Sequence, residues 1–421
     1  MEIIAQWGTV FVALALVFGL YMTWGIGAND VANAMGTSVG SGAVTVTQAI
    51  VIAAIFEFAG AFLAGGTVTA TIRNGIIDAT AMAGHPEQLV YGMLASLVAA
   101  GIWLMVASAR GWPVSTTHSI VGAIVGFAVT GIGVDAVKWG KIGEIAASWL
   151  VSPLLGGFLA MLLMWSIRAS ILTAENPFQM AKRWGPVYVF LVGWIVSLVT
   201  LFKGLKHLDF HLTTSQSLLA STIIGVAVAG VGKHLIDRVR VDEAADRTFH
   251  YASVEKVFTP MMIFTACAMA FAHGSNDVAN GIGPMAAVVS IIRHGGEVAQ
   301  KANLPLWILV LGGVGIVVGL ATMGYRVMQT IGTRITELTP SRGFCATLAA
   351  ASTVVVASKT GLPVSTTHIA VGAVMGVGLA RGIGALDLRV IGNIVASWLV
   401  TLPAGALLAA LFFFVFRLIF G

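Results

Sequence analysis

The sequence predicts an all-α integral membrane protein of about twelve membrane segments, arranged as two inverted repeats that each contain a re-entrant helical hairpin. Three observations carry this reading. First, 57% of the 421 residues are apolar and only 10% are charged, where a soluble domain carries about 25% charged residues. Second, the apolar runs are continuous over 15 to 25 residues, which suits helices and not the ~10-residue alternating stretches of a membrane barrel. Third, the chain repeats itself. GANDVANA at 27–34 matches GSNDVANG at 274–281 with six identities in eight. GWPVSTTHSIVGAIVG at 111–126 matches GLPVSTTHIAVGAVMG at 361–376 with eleven in sixteen, and ASWLV at 147–151 recurs at 396–400. The offsets are 247, 250 and 249 residues, in the same order, which indicates duplication.

The segments fall near 8–34, 45–66, 89–108, 116–130 and 147–168 in the first half. Two more, at 187–202 and 217–232, are inserted, and the second half supplies 257–281, 306–324, 341–358, 366–380 and 394–419. The first repeat is therefore 1–168 with its hairpin at 89–130, and the second is 257–421 with its hairpin at 341–380. Residues 233–256 mix five basic with five acidic residues and read as a solvated cytoplasmic loop. Segments 116–130 and 366–380 are only 15 residues long, where a crossing needs ~20, so each pairs with the preceding segment as a hairpin. A half crosses an odd number of times whether or not the hairpin crosses, and the inserted pair adds two. The second half thus starts on the opposite face and the repeats are inverted.

Charge sets the orientation. Loops 168–186, 233–256, 325–342 and 381–393 hold 13 of the 23 Lys and Arg, against 7 in the alternate loops. The positive-inside rule then places both termini outside a multi-pass protein of the cell (inner or plasma) membrane. The net charge of +5 follows this loop asymmetry and does not call for nucleic acid. Glu2 stands where a secretory signal would be basic, so the first apolar run is expected to stay as a helix. Cys267 and Cys345 lack metal or redox spacing and read as core residues.

Inverted repeats with interrupted helices point to a secondary transporter whose site lies near the bilayer midplane between the halves. Pro113-Val114-Ser115-Thr116-Thr117-His118 and Pro363-Val364-Ser365-Thr366-Thr367-His368 each place a proline and then three hydroxyls at a helix start. Free N–H groups, a partial positive charge and hydroxyl donors suit a tetrahedral oxyanion clasped from both sides. The plainer alternative is that Ser115 and Ser365 only cap their helices. Asn29, Asp30 and Asn33, and again Asn276, Asp277 and Asn280, offer hard oxygen ligands for a small cation such as sodium, with locally opened backbone carbonyls expected beside them. Glu57 is a further mid-span carboxylate and an expected ion or proton ligand. An anion of charge −1 to −2 and two aspartates face roughly +1 from two helix termini. About two or three positive charges are missing, which predicts symport with sodium ions or protons. Arg110 and Lys359 each put a base near a hairpin tip; His118 and His368 read as packed or capping residues, and glycine pairs such as Gly122 with Gly126 and Gly372 with Gly376 as packing surfaces.

At these motifs the chain resembles the inorganic phosphate transporter (PiT) family, whose halves each carry a GxNDxAN-type motif and a GxPVSTTH hairpin. The resemblance implies import of inorganic phosphate with sodium or protons by a homodimer. It implies phosphate binding by residues 115–117 and 365–367 together with Asn29, Asp30, Asn276 and Asp277. Glu57 sits where the family often has an acid. One departure is Thr347, within GFCATLAA, where family members often carry Glu; this bears on the coupling ions. The runner-up substrates are sulfate or a metal-phosphate complex, coupled to protons. A hydrolase built on Ser115 and His118 is disfavoured because two inverted copies suit a ligand held from both sides, and no enzyme cofactor is expected. A channel would not need two buried aspartates facing an anion.

Overall fold

The computed structural model describes residues 2–78, 85–203, 212–297, 304–361 and 363–421. It is helical throughout these residues, with one isolated bridge between Ile77 and Val137. In lipid a backbone must satisfy its own hydrogen bonds, and helices do so within one segment. The first half comprises α1 (Glu2–Gly40), α2 (Val46–Ala64), α3 (Gly66–Asn74), α4 (Pro86–Ala109), α5 (Thr116–Gly131) and α6 (Trp139–Ile167). Then come α7 (Pro177–Lys203), α8 (Thr214–Asp237) and the short α9 (Glu243–Thr248). The second half comprises α10 (Ala252–Arg293), α11 (Leu306–Met323), α12 (Tyr325–Thr333), α13 (Pro340–Thr360), α14 (Thr366–Arg381) and α15 (Leu388–Phe420).

Among the described residues, α1, α2, α4, α6, α8, α10, α11 and α15 are each long and apolar enough to cross a membrane. The other four apolar segments of the sequence lie in α5, α7, α13 and α14. Two expectations need correction. Segments 45–66 and 306–324 do not stop at their apolar ends: short polar helices α3 and α12 continue them across Gly65 and Gly324. Their low apolar content hid them. The opened carbonyls expected beside the Asn–Asp motifs are also absent, because α1 and α10 run unbroken through residues 27–34 and 274–281.

The two long helices α1 and α10 form the centre, and their middle stretches, from Met22 and Ala268 onward, are buried. Close approach at the motif needs glycine. A Cβ on Gly27 would collide with the carbonyl of Ile316 in α11, and one on Gly274 with that of Glu57 in α2. The hairpins exchange partners between halves: α5 packs on α15, and α14 on α6. Gly122 and Gly126 face the backbone of Leu402 and Ala406, while Gly372 and Gly376 face that of Pro153 and Gly157. These are the backbone contacts that small residues permit.

The chain ends lie together. Trp7 and Phe11 contact Phe420 with ring centroids 5.3 and 5.1 Å apart. On the opposite face Tyr251 donates to the Leu172 carbonyl at 3.1 Å, Ser341 donates to Glu255 at 2.8 Å, and Thr336 donates to the Ala385 carbonyl at 2.7 Å. The four loops richest in Lys and Arg therefore share that face.

Candidate functional site

Each hairpin turns at a glycine in the left-handed region, Gly111 at φ +67° and Gly361 at φ +72°, a conformation that costs a Cβ-bearing residue roughly 1 kcal/mol or more. Thr330 of α12 donates to the Gly111 carbonyl at 2.9 Å, and Thr71 of α3 to the Gly361 carbonyl at 2.7 Å. The chain then extends through Pro-Val to an N-cap serine. Ser115 Oγ accepts from the His118 N–H at 3.1 Å and Ser365 Oγ from the His368 N–H at 3.2 Å. The capping reading of the serines is thus correct in geometry, and it leaves each hydroxyl proton available to a ligand.

The tips meet the Asn–Asp motifs in a crossed pattern. Within each half, Thr116 Oγ1 donates to Asp30 at 2.6 Å and Thr366 Oγ1 to Asp277 at 2.5 Å. Between halves, Asn33 donates to Thr367 and Thr366 at 2.9 and 3.3 Å, and Asn280 to Thr116 and Thr117 at 3.2 Å each. Thr117 donates to the Val364 carbonyl and Thr367 to the Val114 carbonyl, both at 3.0 Å. Asn29 reads the Trp112 carbonyl at 2.9 Å and accepts from the Val114 N–H; Asn276 donates to the Val364 carbonyl at 3.1 Å. All ten residues expected to bind the anion, and all five expected to bind a cation, are buried around this junction.

Sequence reasoning missed His273. Its Nε2 lies 2.9 Å from Asp277 and 4.0 Å from Asp30, and its Nδ1 lies 3.3 Å from Glu57. The contacts to Asp277 and Glu57 are ones of proximity more than of aligned hydrogen bonds. A signal existed: His273 precedes Asp277 by four residues and so shares its helix face. Donor atoms of Asp30, His273 and Asp277 lie within 4.8 Å of one another and could hold an ion. The symmetry-related positions hold no such pair. At the offset of the Asn–Asp motifs position 273 corresponds to Ile26, and the glycine contacts relate Glu57 to Ile316. Both isoleucines are fully buried.

Two other residues are also placed. Thr347, standing where an acid was expected from the resemblance, shares a 2.7 Å hydrogen bond with Thr37. The Arg110 guanidinium lies over the Trp112 ring at 5.1 Å. The Lys359 side chain lies outside the described residues.

Crossed contacts between duplicated halves, buried carboxylates and paired helix N-termini define a membrane transporter for an oxyanion. The chain belongs to the phosphate transporter family, whose model matches residues 26–409. It is 52% identical to a putative phosphate permease of Haemophilus influenzae over the whole of both chains. Identity to the Arabidopsis thaliana inorganic phosphate transporter 2-1, chloroplastic, is 46% over 95% of this chain and 71% of that one. A solved structure described as the sodium-dependent phosphate transporter superposes with TM-score 0.89 and 39% identity, covering 97% of this chain and 100% of the other. The family and these relatives are transporters and permeases, so the hydrolase reading falls.

Proposed function

We propose that the protein imports inorganic phosphate by symport with sodium ions, through alternating access of two inverted repeats, 1–168 and 257–421, around the midplane junction. Phosphate sits between residues 115–117 and 365–367, with Asn29 and Asn276 holding the tips. Asp30, Asn33, Asp277, Asn280 and Glu57 serve the cations. The observation that carries this reading is the crossed bonding of Asn33 to Thr367 and of Asn280 to Thr116. A ligand or ion that moves either group is felt by both halves at once, which is what coupling requires.

Charge supports the cation requirement. Two aspartates, Asp30 and Asp277, and an anion of −1 to −2 oppose roughly +1 from the helix termini. About two or three charges are still missing. The basic face is cytoplasmic and both termini are outside, in the cell membrane. The resemblance adds a homodimer, which mass measurement in lipid nanodiscs checks.

A second reading, proton-coupled uptake of phosphate, sulfate or a metal-phosphate complex, is favoured by one feature: His273 between Asp30 and Asp277, since imidazole binds protons and transition metals far better than sodium. Uptake of labelled phosphate into proteoliposomes decides between them. Sodium-driven uptake resisting excess sulfate is expected, and Asp30→Asn or Asp277→Asn should abolish it while the protein still folds. Uptake driven by a pH gradient alone would select the second reading, and wild-type transport by either variant would sink the site.

A further inference from the structure

A cavity of about 540 Å³ lies between the first hairpin tip, the end of α12 and the start of α15. Its walls include Arg110, Arg334, Asn393 and Ser397, and its floor is Trp112 and Pro113. No acidic side chain lines it. Arg110 and Arg334 are both exposed, and neither has an ion-pair partner among the described residues. The nearby Glu337 is engaged instead by Arg342 and Arg381. Pro113 is two residues from Ser115 of the hairpin tip, and the carbonyls of this stretch are tied to other helices. Asn29 bonds the Trp112 carbonyl at 2.9 Å, and Trp398 donates to the Pro113 carbonyl at 3.3 Å.

We propose that this cavity is a second oxyanion site, in which the Arg110 and Arg334 guanidinium groups, with Asn393 and Ser397, hold phosphate between the central junction and bulk water. Two unpaired guanidinium groups over polar donors are the donor set that recognises a tetrahedral dianion. The fold does not demand them. The paired tethers Thr330 to Gly111 and Thr71 to Gly361 relate Arg334 to Gly75, and the hairpin offset relates Arg110 to Thr360. Asn393 corresponds to Glu144, which is paired with Lys141 at 2.9 Å. The two arginines therefore have no arginine at the matching positions of the other half, and both lie on the face with the start of α15. In an importer this is the exit face, where the arginines draw phosphate from the parted tips and let phosphate already inside the cell re-occupy the path.

The ligand class rests on the proposed function, and the experiment separates the two. Phosphate KM is measured in proteoliposomes with phosphate presented to each face in turn, for wild type and for R110Q/R334Q. The expected result is a rise of about tenfold, equivalent to ~1.4 kcal/mol, on the α15-start face only, with R110K/R334K close to wild type on both. Raising the salt should imitate the variant on that face, because exposed charges are screened. In a D30N/D277N background, weak equilibrium binding of labelled phosphate should persist and vanish when R110Q/R334Q is added. Unchanged KM on the α15-start face, or an equal rise on both faces, overturns the second site while leaving central transport intact. Absence of any wild-type phosphate uptake overturns the central reading instead.

Discussion

The imidazole rings of His118 and His368 meet edge to face with centroids 4.4 Å apart, and each lies against the tryptophan of its own half. His118 packs on Trp149 at 3.8 Å, and His368 on Trp398 at 3.7 Å. Each tryptophan then crosses over: Trp149 Nε1 donates to the Pro363 carbonyl at 3.4 Å and Trp398 Nε1 to the Pro113 carbonyl at 3.3 Å. The four rings tie each hairpin tip to the helix of the other half. Trp149→Phe and Trp398→Phe keep a ring and lose one hydrogen bond, ~1 kcal/mol. Each should raise phosphate KM about fivefold with little loss of thermal stability. Trp149→Ala also empties core volume, which costs ~3–5 kcal/mol, and should be visibly destabilised in a thermal melt.

Asn33 and Asn280 are the donors of the Asn–Asp motifs that cross between halves. Asn33→Ala or Asn280→Ala leaves Thr116 bonded to Asp30 and Thr366 to Asp277 but removes two inter-half hydrogen bonds. Each should weaken phosphate binding by about thirtyfold, at ~1 kcal/mol for each of two bonds. The double variant should fall short of the summed effect, because both contacts close on one ligand. Equilibrium binding of labelled phosphate checks this; strict additivity would separate the two tips.

Glu57 and His273 form a buried pair across the halves where the symmetry-related positions hold Ile316 and Ile26. Removing one partner of a buried charge pair costs ~3–5 kcal/mol, whereas replacing both with apolar residues is close to neutral. His273→Ile alone should lower the melting temperature sharply. H273I/E57I should recover most of that stability and remain without coupled uptake. Recovery of transport in the double variant would make the pair structural only.

Outside the membrane, Asp242 accepts from Lys256 at 2.5 Å and from the Ala245 N–H, so it caps α9; these bonds hold its carboxyl below the usual carboxylate range. A depressed folded pKa contributes stability above the unfolded value and loses it as pH falls through the folded one. Protection of the Ala245 amide from hydrogen exchange should therefore hold near neutrality and drop in strong acid. Asp242→Ala should show the low-protection state at every pH.

Much of the candidate site was legible in the sequence because duplication marks it twice. Hydroxyl triplets, Asn–Asp motifs and helix-start prolines recur at one offset, and all of them converge at the junction. His273 was not legible in this way, since it has no counterpart: a residue present in one half only is invisible to a search for what the halves share. Helices α3 and α12 escaped for another reason. They are polar pieces that tertiary contacts with α10 and α1 hold in helical form, and apolar run length does not register them.

The sequence by itself determined that the chain is a helical membrane protein and which motifs recur in its two halves, because lipid imposes length and polarity on every segment locally. Only the tertiary structure decided which half each side chain serves. Asn33 answers to the second hairpin and Asn280 to the first, Trp149 holds the tip containing Pro363, and Arg110 turns away from the junction toward Trp112 and the cavity beside it. The pairings of Asn33, Asn280 and Trp149 span more than 160 residues and depend on how the halves interlock, a relation that no local pattern of polarity encodes.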